Sequence, residues 1–556
     1  MTNDKEQLLD MRDGEERLMH EPQDVIVIHS EEELESFLID VLELGEKMES
    51  EETLQEDSSY KILFSLLKRV HVFTAAIEEK YVDRIYRDSY YMHFSCKHGE
   101  YSRFCKRLFV FKGNVFEGTT VEKFFNLDAG ELQKKFVGTI VIRPLREGKV
   151  GRSLINPYFM LENENIYLRY AKYSVAIYGM RFQINAFPFS MQDGETTTCA
   201  EITILNLMDY FSRKYSEYKS ILPSEIVEIV GENSFERTLP SRGLMYSTIT
   251  KFFSEAGFDP RLYRQNVFTD MSQFKRVMHY YIESGIPVAV GVKINEKTKH
   301  SIACIGHGRI HYENIGKKLY AICGSEMENH IWIVDSADLC NNYITMDDGR
   351  APYEDSEWRV EISHDMKKED KCMLGNYEPE MLMVPLYKRM FLEAQGAYDI
   401  CTSALAGGEV GIRKFCSEIG TKENPVIIRL FMCSSRNFKQ RRISNFSSAN
   451  REAREIYAIL RLPRFVWVCE IYDEDGYCEN KALGEIVIDA TSSPADGTKG
   501  ALLFHYPYHI LYCQNNVKNV GRLFDEDEEF NRVHTWEKFD GYDHNLFQPE
   551  EINRTV

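Results

Sequence analysis

Two periods of apolar residues alternate along the chain. Leu34, Phe37, Leu38, Val41 and Leu42 recur at helical spacing. They follow Ser30 and Glu33, which form a capping-box signal. Residues 60–79 repeat the helical pattern, with Ile62, Leu63, Leu66, Leu67 and Val70 on one side. Short β-type runs occupy 25–28, 138–144, 173–177 and 180–184. Helical signal returns at 241–257 and 271–283, the latter stopping at Gly285. Residues 286–292 and 301–305 then predict a hairpin around a polar turn. Two further strands are predicted at 331–334 and 343–346, the second running into Asp347-Asp348-Gly349. Beyond 390 the pattern predicts helices over 390–405 and 450–460, and strands over 465–471, 485–489 and 502–506.

Composition narrows the class. Of 556 residues, 43% are hydrophobic and 28% charged, an ordinary globular balance that excludes a wholly disordered or collagen-like chain. The apolar runs are far shorter than the roughly 18 residues a membrane span needs. The polar first residues lack the basic and apolar regions of a secretory signal. Neither a membrane nor secretion is therefore expected. Thirteen cysteines, odd in number and irregularly spaced, fit reduced thiols in a cytoplasmic protein.

The net charge of −20 is concentrated at the ends. Residues 1–60 hold 20 acids against 4 bases, and 525–556 hold 10 against 3, which leaves +3 for the rest. Without a large basic excess, nucleic acid is not an expected partner. The division that follows is an acidic N-terminal segment with one amphipathic helix (1–58) and a mainly helical region (59–137). A central domain (138–390), an α/β extension (391–524) and an acidic tail (525–556) complete it. The acidic ends are expected to fold onto the near-neutral body and to block or tune its cleft. The cluster Arg436, Lys439, Arg441 and Arg442 is either a solvated face or the dock for such an end.

Chemistry concentrates around residue 199. Thr198 reads as the N-cap of a helix, Glu201 as its capping-box partner and Cys199 as its first residue. Unpaired N–H groups and the helix dipole favour a nucleophilic thiolate at such a position. Gln192 lies seven residues upstream in a turn-prone stretch, where its amide can face a developing oxyanion beside the Cys199 N–H. A thiolate needs a base, and the base an orienter. His300 opens a predicted strand, and Asp347, Asp348 and Asp335 each follow one. Other groups invite blander readings. His93, Cys96, His98 and Cys105 match no usual zinc module and fit chance clustering in a packed helix. His307, His311 and His330 read as surface or turn histidines, and Trp332, Trp358 and Trp467 as core or cleft packing.

The order glutamine, cysteine helix, strand, histidine strand, strand and aspartate resembles the papain-like cysteine peptidases. In detail it resembles the bacterial peptidases that cleave double-glycine leader peptides, and uncharacterised bacterial proteins containing that domain. Gln192, Asp193, Cys199-Ala200, the stretch 240–244, the stretch 285–288, His300 with 305–307, Asp347-Asp348 and Pro352-Tyr353 carry the likeness. It spans about a third of the chain, roughly 182–355. Two departures stand out. The glutamine usually precedes the cysteine by six residues, where this chain has Asp193, and Ala200 stands where glycine is often found.

The resemblance implies an α+β fold. A helix bearing the nucleophile packs on an antiparallel sheet, with helical N-terminal and α/β C-terminal extensions. It implies a cysteine peptidase with Cys199 as nucleophile, His300 as base, Asp347 as orienter and Gln192 at the oxyanion. A protein or peptide would be the substrate, and no cofactor or metal is needed. Isopeptide, deamidation or transglutaminase-like chemistry would use the same groups, and a catalytically inactive, protein-binding module is the alternative of another class.

Overall fold

A computed structural model describes residues 25–554 apart from 45–53, 55, 116–127, 162–164, 178, 233–237, 269, 324–329, 362–370, 408–410, 447–450, 494–499, 508 and 513–537. The polar stretch 1–22, most of the acidic linker at 45–58 and the acidic run 525–529 lie outside the described residues.

The fold is α+β, built on three largely antiparallel sheets. The first runs in the order Val25–Ile28, Phe73–Tyr81, Cys105–Lys112, Phe136–Ile142, Ser153–Ile155, Met180–Phe189, Ala171–Ile177. Residues 60–79, expected as one helix, divide in two. Ser58–Lys68 is helical, capped by the Asp57 carboxylate, which accepts the Tyr60 N–H at 2.8 Å. Phe73–Tyr81 is an inner strand whose first five residues are buried on both faces. The region 59–137, expected to be mainly helical, thus supplies two inner strands, and the boundary at 137/138 falls inside a sheet.

The second sheet runs Lys371–Leu374, Glu354–Glu361, Asn342–Met346, Lys299–His307, Val288–Lys293, Glu378–Val384, Arg261–Arg264. It contains the hairpin read from the sequence, with Val292 opposite His300. The third runs Tyr320–Cys323, His330–Asp335, Val426–Ser434, Phe465–Tyr472, Gly484–Asp489, Ala501–Tyr506, His509–Tyr512. Its one parallel pair, His330–Asp335 with Val426–Ser434, crosses the boundary expected at 390. Val426–Ser434 escapes a sequence reading because its nearly continuous apolar run carries no alternation.

Two helices form the layers between sheets. Cys199–Lys214 packs between the first sheet and the Lys299–His307 strand of the second. It is buried without interruption from Ala200 to Phe211, as a helix covered on all sides must be. Tyr215 is its exposed C-cap. Met271–Glu283 packs between the second and third sheets.

The acidic ends are structural in their described parts. Val25–Ile28 and the helix Glu31–Val41 belong to the first sheet and its core, with Leu34, Phe37, Leu38 and Val41 buried. They are part of the body's sheet instead of a flap laid over it. At the other end, Phe539–Asp540 pairs with Lys481–Ala482. Asn545 then donates to the Glu283 and Met432 carbonyls at 3.0 Å each, Phe547 bridges Leu168, and Asn185 donates to the Ile552 carbonyl at 2.7 Å. The C-terminal segment is thus a strap across all three sheets.

The basic cluster divides between surface and core. Arg441 pairs with Asp543 of that strap at 2.8 Å, whereas Arg442 is fully buried. The Arg442 guanidinium bonds Glu470 and Glu485, each at 2.6 Å, and the Asp540 carbonyl at 2.7 Å. Glu470 also receives Arg429 at 3.1 Å, and Arg429 reaches Glu283 at 2.8 Å. His307 closes the chain with Nε2 on Glu283 at 3.0 Å and Nδ1 on the Gly308 carbonyl at 2.8 Å. His307 is therefore a buried core histidine, contrary to the surface or turn role expected. Trp467 and Trp358 are buried in the core, and Lys422 lies over the Trp332 ring.

Removing one member of a buried ion set leaves an uncompensated charge, at a cost of about 3–5 kcal/mol. Arg442→Met is expected to lower unfolding free energy in urea by about that amount. Arg436→Met, at an exposed position on the same helix, is expected to change it by less than about 0.5 kcal/mol.

Candidate active site

The stretch preceding Cys199 is folded by one carboxylate. Asp193 Oδ1 accepts the N–H groups of Glu195, Thr196 and Thr197 at 2.9, 2.7 and 2.9 Å, and its Oδ2 accepts the Thr196 hydroxyl. Asp193 is buried and wholly committed to this turn, so the residue six before the cysteine shapes the loop and does not face the cleft. The loop is anchored outward as well. The Thr196 hydroxyl lies 3.0 Å from the Ser89 hydroxyl, and Glu195 receives His93 at 2.8 Å together with Lys97. His93 therefore has a carboxylate partner. Its cluster spans a helix, a turn and, at Cys105, the start of a strand, instead of one packed helix.

Thr198 caps the helix in extended conformation, and Glu201 accepts its N–H at 3.1 Å. The buried Glu201 carboxylate also accepts the Ser241 hydroxyl, which ties the 240–244 loop to the same turn. Cys199 is the first helical residue and half-buried. The Thr203 hydroxyl lies 2.8 Å from the Cys199 carbonyl and 3.2 Å from the Ser301 carbonyl, bridging the cysteine's turn to the residue after His300.

His300 sits on the second-sheet strand beside that turn. Its Nε2 lies 2.8 Å from Asp347 Oδ1 and 3.4 Å from Asp348 Oδ1. Its ring also lies near enough to the Cys199 sulfur for the thiol to raise its pKa. Nε2 being engaged by Asp347, Nδ1 is the nitrogen left for sulfur. Burial disfavours the imidazolium, but the hydrogen bond to Asp347, the neighbouring Cys199 thiol and the two carboxylate charges outweigh it and raise His300 to about 10.

Asp347 is held by three donors: His300, the Gly349 N–H at 2.9 Å and the Tyr377 hydroxyl at 2.7 Å. Burial pushes its carboxyl up, yet the His300 hydrogen bond and charge leave it below the ordinary carboxylate range. Asp348 goes the other way. Burial raises it to about 6, with the His300 charge opposing and the Asp347 charge adding to the rise. Asp335 is not part of the site; it accepts the Tyr280 hydroxyl and the Ala337 N–H in the third sheet.

Gln192 reaches the site through its backbone. Its carbonyl packs on Gly148, where φ is +59° and a Cβ would collide with that carbonyl, and its N–H acts to lower the nearby Asp348 carboxyl, whose buried oxygens have no hydrogen-bond partner among the described residues. Its side chain is half-buried. The structure thus brings Cys199, His300 and Asp347 together, with the His300–Asp347 hydrogen bond formed and the Gln192 backbone beside them. Three supporting residues were not singled out from the sequence. Tyr377 lies in a stretch without a motif, Thr203 looks like any helix residue, and Tyr246 has a buried hydroxyl with no hydrogen-bond partner, close enough to Cys199 to feel a charge on its sulfur.

His300, Asp347 and Asp348 are also the group of three potential metal ligands among the described residues, their donor atoms within 4.8 Å of one another. An imidazole that stays protonated through neutral pH and has Nε2 engaged by a carboxylate is a poor ligand, so the set suits an ion pair better than a cation. No protein-family model matches this chain, and no curated protein matches it. No helix among the described residues is long and apolar enough to cross a membrane.

The raised value of His300 carries a pH signature. Its stabilising contribution is complete below the unfolded value of about 6.5 and lost as pH rises through about 10. The difference in unfolding free energy between wild type and His300→Gln is therefore expected to shrink steadily from pH 6.5 to 10.

Proposed function

We propose that this chain is a cysteine peptidase with a papain-like catalytic unit. One observation carries the reading: a histidine hydrogen-bonded to a buried carboxylate and lying beside a helix-N-terminal thiol that raises its pKa. That is the nucleophile–base–orienter arrangement of thiol acyl transfer.

The Cys199 sulfur attacks the carbonyl carbon of a peptide bond after giving its proton to His300. The tetrahedral oxyanion is met by the Cys199 N–H and by the Gln192 amide. Collapse breaks the carbon–nitrogen bond, and His300 delivers its proton to the departing amine. The thioester is then attacked by water, which gives one proton to His300 and releases the acid and the free thiol. Asp347 stabilises the imidazolium throughout and is itself positioned by Tyr377. Peptide as the substrate, in preference to other acyl groups, rests on the resemblance to double-glycine leader peptidases.

Thirteen cysteines make selectivity the decisive readout. Brief iodoacetamide labelling at pH 7 followed by peptide mass spectrometry is expected to modify Cys199 well ahead of the exposed thiols Cys96, Cys323 and Cys478. His300→Ala is expected to remove that preference. Labelling of Cys199 no faster than these three would sink the proposal. Asp347→Asn is expected to lower kcat on a peptide substrate by about 10²–10⁴-fold.

A further inference from the structure

A second concavity lies far from Cys199. A cavity of about 570 Å³ opens where the C-terminal end of the Cys199–Lys214 helix meets the helix Ser435–Asn445 and the strap residues His544, Asn545 and Phe547. A helix of this length spans roughly 1.5 Å per residue, so the cavity is about 20 Å from the thiol. Its size is that of a small-molecule site, about 300–1,000 Å³.

Its charge is one-sided. Four cations line it, Arg169, Lys214, Arg441 and Arg464, against one carboxylate, Glu217. Arg464 is matched by Glu217 at 3.0 Å and Arg441 by Asp543 at 2.8 Å. Among the described residues the other two have no carboxylate partner. Arg169 is buried, and its guanidinium reaches only the Tyr210 hydroxyl, at 2.9 Å, and the Asn545 carbonyl. Lys214 lies over the rings of Tyr170 and Phe547, at 5.5 and 5.9 Å. Burying a charge without a counterion is expensive, and a guanidinium cannot escape by losing its proton. Lys214 is drawn down to about 7 by burial and by the neighbouring Arg169 and Lys172, the direction an unmet counterion produces.

One part of the remaining wall is flat and aromatic. Tyr218 and Phe258 stack at 4.0 Å with their planes 4° apart, and Phe465 and Phe547 also line the cavity. The geometry points to a binding site for a small anion carried on a flat apolar ring, with Arg169 and Lys214 meeting the charge and the aromatic wall meeting the ring. This inference does not depend on the peptidase reading.

The test uses the full chain and the fluorescent probe 8-anilinonaphthalene-1-sulfonate, which has both features. Wild type is expected to bind it saturably at one site. Lys214→Met keeps the aliphatic stem and removes the charge, and is expected to weaken binding at least tenfold while Cys199 labelling is unchanged. Gln440→Trp, at an exposed position on the rim, is expected to weaken it similarly by filling the mouth, and keeps the test decisive if Lys214→Met misfolds. Non-saturable binding, or affinity equal to wild type in the folded variants, would overturn the assignment.

Discussion

The chain of buried charges running from His307 through Glu283, Arg429, Glu470 and Arg442 to Glu485 is the interaction on which the architecture turns. Its members come from the second sheet, the helix Met271–Glu283, the third sheet and the helix Ser435–Asn445. Three carboxylates face two guanidiniums and one imidazole. His307 has an acceptor on each ring nitrogen, and despite burial the Glu283 charge holds it protonated, at about 10, so the set balances. Such a set gains little over a packed apolar core, but it permits only one mutual placement of the elements that carry it. The Tyr542 N–H on Glu470 and the Tyr542 carbonyl on Arg429 bind the C-terminal strap into the same network.

That placement decides the site. Glu283 ends the helix preceding the hairpin, and His307 ends the strand that begins beside His300. Fixing the strand at its far end sets the register in which His300 lies opposite Val292 and beside the first turn of the Cys199 helix. At the end of the neighbouring antiparallel strand, Asn342–Met346, Asp347 emerges within reach of the imidazole. The thiol's helix is clamped separately, by the Asp193 turn beneath it and by Glu201 and Thr203 along its first turn. The triad geometry is therefore the meeting of two rigidly held elements, and no side chain of the triad depends on a free loop for its position.

The same rigidity leaves the cationic cavity at the other end of the Cys199 helix. There the second and third sheets and the strap meet without filling the space between them, and the charges at the seam are only partly matched. Catalytic and binding candidates thus sit at opposite ends of one buried helix, each at a junction between layers, where polar groups can stay partly hydrated.

Much of the site was legible along the chain because its signals are local. A cap, a cysteine at the first helical position and acids ending a strand need only neighbouring residues to be read, and the hairpin places His300 through turn chemistry alone. Local pattern also gave the α+β class. It failed where contacts are distant. Phe73–Tyr81 and Val426–Ser434 are strands because partners on both sides take up their backbone hydrogen bonds, a fact absent from their own apolar runs. The glutamine spacing became intelligible only once Asp193 was seen to be consumed by its turn. The choice of Asp347 over Asp335, the burial of His307 and the use of an acidic tail as a strap were decided by tertiary structure. Each depends on which groups meet between separate elements of the fold, and the linear sequence does not record those meetings.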